Sequence, residues 1–182
     1  MRIRIDEIKD EGLDLESEEA AASYPTAVEA AAAEECVFIA PLQTRLRLVR
    51  VGEMIEVEGT VESRVRLACS RCLSEFEDPL IGRFALTFAR ELPEVTDETD
   101  GEEVELNAEE MGLILFHGEE IDLSEAIAEQ VILALPMHPL CQEDCRGLCP
   151  QCGGDLNETD CGCERPAFNV KFAALKNIKF DK

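Results

Sequence analysis

The chain has 182 residues, 46% of them hydrophobic and 5% aromatic, with no tryptophan. That is the size of one domain, or of one domain with a small appendage, around an aliphatic core. A formal charge of −23 argues against broad adhesion to a phosphate backbone, which depends on basic surface, and fits a basic protein partner better. No run approaches the roughly 18 consecutive apolar residues of a membrane span. The start, MRIRIDEIKD, lacks the apolar stretch of a signal peptide and is too acidic for a transit peptide. A cytoplasmic chain with reduced thiols is therefore expected.

The charge is unevenly placed. Residues 91–110 hold ten acids and no Lys or Arg, whereas residues 41–90 hold eight Arg against seven acids, and residues 164–182 hold five bases against two acids.

Along the chain, Ile3 and Ile5 alternate with Arg2, Arg4 and Asp6, which predicts a short first strand. Residues 11–36 are rich in Glu and Ala and read as a helix or a loop, broken at Tyr24-Pro25. From Ile55 through Val57, Val61, Val65 and Leu67 to Cys69, apolar residues take the odd positions and polar ones the even positions. That period of two marks a half-buried strand. Gly59 is expected to bend or bulge it. Alternation resumes at Phe84, Leu86 and Phe88, so Cys69-Ser70-Arg71-Cys72 falls at the tip joining two antiparallel strands. Leu46 and Leu48 predict a further strand, with Gly52-Glu53 as its turn.

Residues 93–110 read as an acidic loop, and Leu113–Phe116 as a short strand. A helix is expected over 122–135, with Asp122 as its cap, Glu125 reaching back, Ile127, Val131 and Leu135 inward, and Pro136 as its stop. In the tail, Phe168, Phe172 and Leu175 stand at helical spacing.

Nine cysteines carry the chemistry, and six of them lie between Cys141 and Cys163. In Cys149-Pro150-Gln151-Cys152-Gly153 a proline presets the turn and the glycine can take positive φ, so that backbone N–H groups point at the sulfurs. Cys161 and Cys163 stand two positions apart, and Gly162 supplies the kink that would bring both to one ion. Spacing thus assigns Cys149, Cys152, Cys161 and Cys163 to one metal site. Cys141, Cys145, Cys69 and Cys72 remain for another cage that would tie the sheet to the C-terminal module. Zinc suits four thiolates in a closed tetrahedron, and iron is the less favoured alternative. His138 is a candidate replacement ligand, His117 has no motif, and Cys36 reads as a lone buried thiol. A redox reading would use Cys69 and Cys72 as a dithiol. It calls for a thiolate at a helix N-terminus, and this pair sits between strands.

The strings CSRCL, VILALPMHPLC, CRGLCPQCGGDLN and CGC together resemble the YceD family, over about Thr44 to Lys176. The resemblance implies a role in accumulation of large-subunit ribosomal RNA and in ribosome assembly. Not every member carries the complete C-terminal cysteine set; this chain does.

The expected fold is α+β: an antiparallel sheet, open or closed into a barrel, with a C-terminal helix and a cysteine-rich metal-binding module. Residues 1–135 would form the β-rich part and residues 136–182 a zinc-ribbon-like module packed with it as one unit. The expected function is a non-enzymatic factor in large-subunit assembly, with no catalytic residues and no small-molecule substrate. Its partner would be a basic ribosomal protein, large-subunit precursor rRNA, or both. Arg64, Arg66, Arg71, Lys171, Lys176 and Lys179 are the candidate contacts. The alternatives are a cytosolic thiol oxidoreductase using Cys69 and Cys72, a metal-dependent hydrolase, and a transcription module of the zinc-ribbon kind, which should show a basic face.

Overall fold

In a computed structural model, residues 1–91 and 112–163 are described. The acidic loop after Glu91 and the tail with Lys171, Lys176 and Lys179 lie outside the described residues. In chain order the elements are β1 (Arg2–Arg4), β2 (Leu13–Glu19), α1 (Pro25–Ala33), β3 (Val37–Phe38) and β4 (Leu42–Val51). They continue with β5 (Met54–Ala68), β6 (Glu75–Ala89), β7 (Leu113–Leu115), β8 (Glu120–Asp122) and α2 (Ser124–Ala134).

Two long strands dominate. β5 and β6 pair antiparallel without a break from Met54↔Ala89 to Ala68↔Glu75. The odd positions of β5 bury Ile55, Val57, Val61, Val65 and Leu67, while Glu56, Glu58, Arg64 and Arg66 face solvent. β4 joins β5 through a two-residue turn in which Gly52 has φ +61°. That positive φ at the first turn position suits the right-handed twist of a hairpin.

The sheet order is β2-β4-β5-β6-β7, with β3 beside β5 where β4 has ended. α2 packs on β5 and β6, and α1 packs on α2. The helices bring Ala27, Ala31, Ala126, Ile127 and Val131 against one face. The outer face carries arginines paired with carboxylates across strands: Arg45 with Glu62 at 3.1 Å, Arg47 with Asp14 at 2.9 Å and Arg66 with Glu77 at 3.3 Å. Opposite charges on adjacent strands favour this register, though each exposed pair adds little stability.

Several expectations are corrected here. The sheet does not close into a barrel; among the described residues β2 and β7 are its edges, because helices, not further strands, cover the buried face. The sheet is not wholly antiparallel either, since β7 runs parallel to β6; residues 90–112 give the chain the length that a parallel return requires. β1 stands outside this sheet and pairs with β8.

Residues 11–36 contain a strand as well as a helix. Leu13 and Leu15 lie opposite Leu48 and Leu46, and Pro25 occupies the first turn of α1, where its missing N–H costs nothing. Gly59 makes no bulge. It stays in register opposite Leu46 and Phe84, and a Cβ there would come within 2.5 Å of Phe84 Cζ and 2.6 Å of Leu46 Cδ2. The glycine makes room for its neighbours' side chains.

α2 is shorter than expected, spanning Ser124–Ala134 after the strand β8. Leu123 holds the cap position without a side-chain bond. Asp122 instead accepts from the Ser124 backbone N–H at 3.0 Å and from Arg2 Nε at 3.0 Å. These bonds hold its carboxyl well below the usual carboxylate range.

Candidate metal centres

The hairpin β5–β6 is the scaffold of the first centre. Its tip, Cys69 to Ser74, folds back on itself: the Cys69 N–H donates to the Ser74 carbonyl at 2.9 Å, and the Leu73 N–H to the Cys69 carbonyl at 2.9 Å. The Arg71 N–H points at Cys69 Sγ, 3.5 Å away. Cys149 to Gly154 repeats the pattern, with Cys149 N–H to Gly154 carbonyl at 2.8 Å and Gly153 N–H to Cys149 carbonyl at 2.9 Å. Both knuckles need positive φ at the fifth residue. Gly153 supplies it at +73°, and Leu73 adopts +61° without being a glycine.

Each knuckle meets a second pair of cysteines. The sulfurs of Cys69, Cys72, Cys141 and Cys145 lie within 4.8 Å of one another, and so do those of Cys149, Cys152, Cys161 and Cys163. In the first group Cys69 and Cys145 sulfurs are 3.7 Å apart, as are those of Cys72 and Cys141. A disulfide would require about 2.05 Å, whereas the edge of a tetrahedron with 2.3 Å Zn–S bonds is about 3.8 Å. Both groups could hold a metal ion. The kink expected at Gly162 is present, with φ +65°, and brings Cys161 and Cys163 to the same group. Neither His117 nor His138 belongs to either group, and Cys36 is buried without a partner thiol.

The thiols within each group are not equivalent. Burial pushes Cys69 up, but N–H groups of Cys141, Cys72 and Arg71 outweigh it and bring the thiol down to about 6. N–H groups of Cys152 and Gln151, helped by the Cys161 side chain, bring Cys149 down to about 6. Burial and hydrogen bonding to Cys72, Cys145 and Cys69 push Cys141 up to about 12. Bonds to Cys161 and Cys152, with burial, do the same to Cys163. One thiolate per group is therefore stable at neutral pH, while a cation is needed to draw the proton from the other extreme.

The groups also differ in exposure. Cys69, Cys72 and Cys145 are buried, with Phe76, Leu140 and Leu148 around them; in the second group only Cys149 is buried and Cys152 is exposed.

Two residues that spacing rules did not single out organise this region. Arg71 was expected as a partner contact. Its guanidinium donates to the carbonyls of Cys145 at 2.9 Å and Glu143 at 3.4 Å, and its own carbonyl accepts from Leu148 N–H at 3.1 Å. With the Ser70 N–H on the Pro139 carbonyl at 2.9 Å, it fastens the hairpin tip to residues 139–148. Asn157, in the turn between Cys152 and Cys161, donates to Cys145 Sγ at 3.3 Å. Its position in the connecting turn, two residues after Asp155, was the available signal. Arg64 and Arg66 are exposed and share Glu77.

A two-layer α+β protein with paired cysteine cages is what the fold and the sites define. Residues 57–179 match the family described as large ribosomal RNA subunit accumulation protein YceD. The chain belongs to that family. An uncharacterized protein of Mycobacterium tuberculosis is 42% identical over 118 residues, covering 63% of this chain and 51% of the relative. The chloroplastic large ribosomal RNA subunit accumulation protein YCED homolog 1 of Arabidopsis thaliana is 26% identical over 156 residues, covering 76% of this chain and 49% of the relative. Its counterpart in Zea mays is 22% identical over 143 residues, covering 68% and 49%. The chain thus spans about half the length of the curated relatives it matches. No solved structure matches it.

Proposed function

We propose that the chain is a non-enzymatic factor supporting large ribosomal subunit assembly and large-subunit rRNA accumulation in the cytoplasm, built around two structural four-cysteine zinc sites. Cys69, Cys72, Cys141 and Cys145 would hold one ion as the first cage, cage 1, and Cys149, Cys152, Cys161 and Cys163 the other as the second, cage 2. The observation that carries this reading is closure: each group supplies four thiols and no histidine or carboxylate. A catalytic zinc keeps one position open for water or substrate, and four thiolates leave none. Residues 1–135 and 136–182 would act as one unit, joined by the first cage. Their surface is strongly acidic, and a basic ribosomal protein, with or without precursor rRNA, is the partner that this charge favours. No membrane partner is invoked: among the described residues no helix is long and apolar enough to cross one.

The thiol oxidoreductase reading draws on one observation, the Cys69 thiol held near 6. An exchange nucleophile must also be reached by its substrate, and Cys69 is 0% exposed.

Affinity purification from growing cells, with zinc and iron measured on the purified chain, tests the proposal. Two zinc ions and co-purifying large-subunit precursors or a basic ribosomal protein are expected. A metal-free chain that reduces disulfides at Cys69 would refute it.

A further inference from the structure

A residue that stands between two ligands of one cage hydrogen-bonds a ligand of the other. Asn157 lies in the 153–160 turn, whose ends are Cys152 and Cys161 of the second cage, yet its side chain serves the first. One Nδ2 proton goes to Cys145 Sγ at 3.3 Å and the other to Asp155 Oδ1 at 2.8 Å. Oδ1 accepts from the Arg146 backbone N–H at 2.7 Å and from Gln142 Nε2 at 3.4 Å. All four hydrogen-bonding positions of the amide are thereby used, which fixes both its orientation and its flip state.

The turn reaches the first cage through backbone contacts as well. Leu156 N–H donates to the Gly147 carbonyl at 2.9 Å, and Leu148 bridges Asp155. Leu148 in turn donates to Arg71, between Cys69 and Cys72. An amide that donates to a thiolate stabilises the deprotonated ligand and orients it, and losing such a partner typically costs 10–100-fold in metal affinity.

We infer that the two metal sites load cooperatively, with Asn157 as the positioning residue that couples them. This inference rests on the zinc reading of the cages. A metal bound at Cys149, Cys152, Cys161 and Cys163 pins both ends of the 153–160 turn. The entropy of ordering that turn has then already been spent, and Asn157 is held where Cys145 needs its N–H. Cage 1 consequently binds more tightly when cage 2 is filled. Linkage makes the effect reciprocal, so filling cage 1 tightens cage 2 by the same factor.

The test is titration of the full-length, metal-free chain with Zn²⁺ against a chromophoric chelator. Cys161→Ser/Cys163→Ser leaves only cage 1, and Cys69→Ser/Cys72→Ser leaves only cage 2. The product of these two affinities is compared with the overall two-site constant of the unsubstituted chain. The expected ratio is about 10–100 in favour of the intact pair. Asn157→Ala should bring it to within threefold of unity while both ions still bind. Should Asn157→Ala fold poorly by circular dichroism, Asn157→Asp retains the acceptor for Arg146 and removes the donor to Cys145, with the same loss expected. A ratio within threefold of unity in the unsubstituted chain, or one undiminished by the Asn157 substitutions, overturns the coupling but leaves two zinc sites standing. No zinc uptake by any variant overturns the metal reading itself.

Discussion

Replacing Cys69 and Cys72 by Ser removes the proposed metal link between the hairpin tip and residues 139–148, and the size of the effect can be worked from where each cage would close the chain. Cage 1 would join Cys72 to Cys141 across 68 intervening residues, whereas cage 2 would join Cys152 to Cys161 across eight. Treating a bound metal as a cross-link, the chain-entropy relation gives about 4.4 kcal/mol for closing a loop of the first size and about 2.6 kcal/mol for the second. Metal–thiolate bonding would be common to both cages. The difference of about 2 kcal/mol therefore isolates the topological role of the first. For a chain of this length each kcal/mol moves the thermal midpoint by about 2–4 °C. The Cys69→Ser/Cys72→Ser variant should then melt about 4–8 °C below the Cys161→Ser/Cys163→Ser variant. Buried packing points the same way, since Phe76, Leu140 and Leu148 pack against the buried cysteines of the first cage.

Three measurements on the purified variants check this: metal content, thermal midpoint, and the map of limited proteolysis. Each double variant should lose at least one metal equivalent. New cleavage at residues 136–146 should appear in the Cys69→Ser/Cys72→Ser protein alone, because only there does the segment lose its metal anchor to the sheet. Full metal content with an unchanged digest would refute the pairing of Cys69 and Cys72 with Cys141 and Cys145. Equal midpoints for the two variants would refute the loop argument while leaving the pairing intact.

Gly59→Ala forces a Cβ to within 2.6 Å of both Phe84 and Leu46 side chains, and overpacking of this kind costs about 1–3 kcal/mol; denaturant unfolding should show that loss, with partial recovery when Phe84→Leu is added. Leu73→Gly removes a side chain from a backbone position at φ +61°, where an L-residue costs about 1–2 kcal/mol. Leu73 is 66% exposed, so little burial is lost; after the glycine's extra unfolded-state entropy, a midpoint rise of about 1–4 °C is expected, and a fall would refute the strain argument. Zinc affinity should increase with pH, because Cys141 and Cys163 are held protonated up to about 12 and binding must displace a proton from each. Between pH 7 and 8.5 the logarithm of the binding constant should gain at least one per pH unit at each cage, and a flat profile would show that the thiols are already ionised.

What the sequence made legible follows from the range over which each signal acts. The β5–β6 hairpin was readable because both strands bury one face, so alternation from Ile55 to Leu67 states both the strand and its orientation. β2 was not, because its inward positions run Leu13, Leu15, Ser17 and then the acid Glu19, and the strand exists by virtue of its pairing with β4. The same holds for β3 and β8, with two and three residues, which are strands only in the presence of their partners. Gly59 misled for a related reason. A glycine in a strand signals either a bulge or a close neighbour, and only the register opposite Phe84 decides between them.

The knuckles carry this argument into the site. Cys149-Pro150-Gln151-Cys152-Gly153 announces its geometry with a proline and a glycine, while Cys69-Ser70-Arg71-Cys72-Leu73 builds the same hydrogen bonds without either. Local preference therefore explains the second knuckle and not the first. The hairpin forces the first: fifteen residues on each side, paired from end to end, leave six to turn the chain, and Arg71 is then bonded on both its carbonyl and its guanidinium to residues 143–148. Leu73 is held left-handed by those constraints, and a bound metal would add to them. Strain at a position that a glycine would relieve is the expected mark of a turn shaped by its tertiary partners. Leu73 thus shows that the first cage is assembled by the fold, whereas Gly153 shows that the second is written largely into its own fifteen residues.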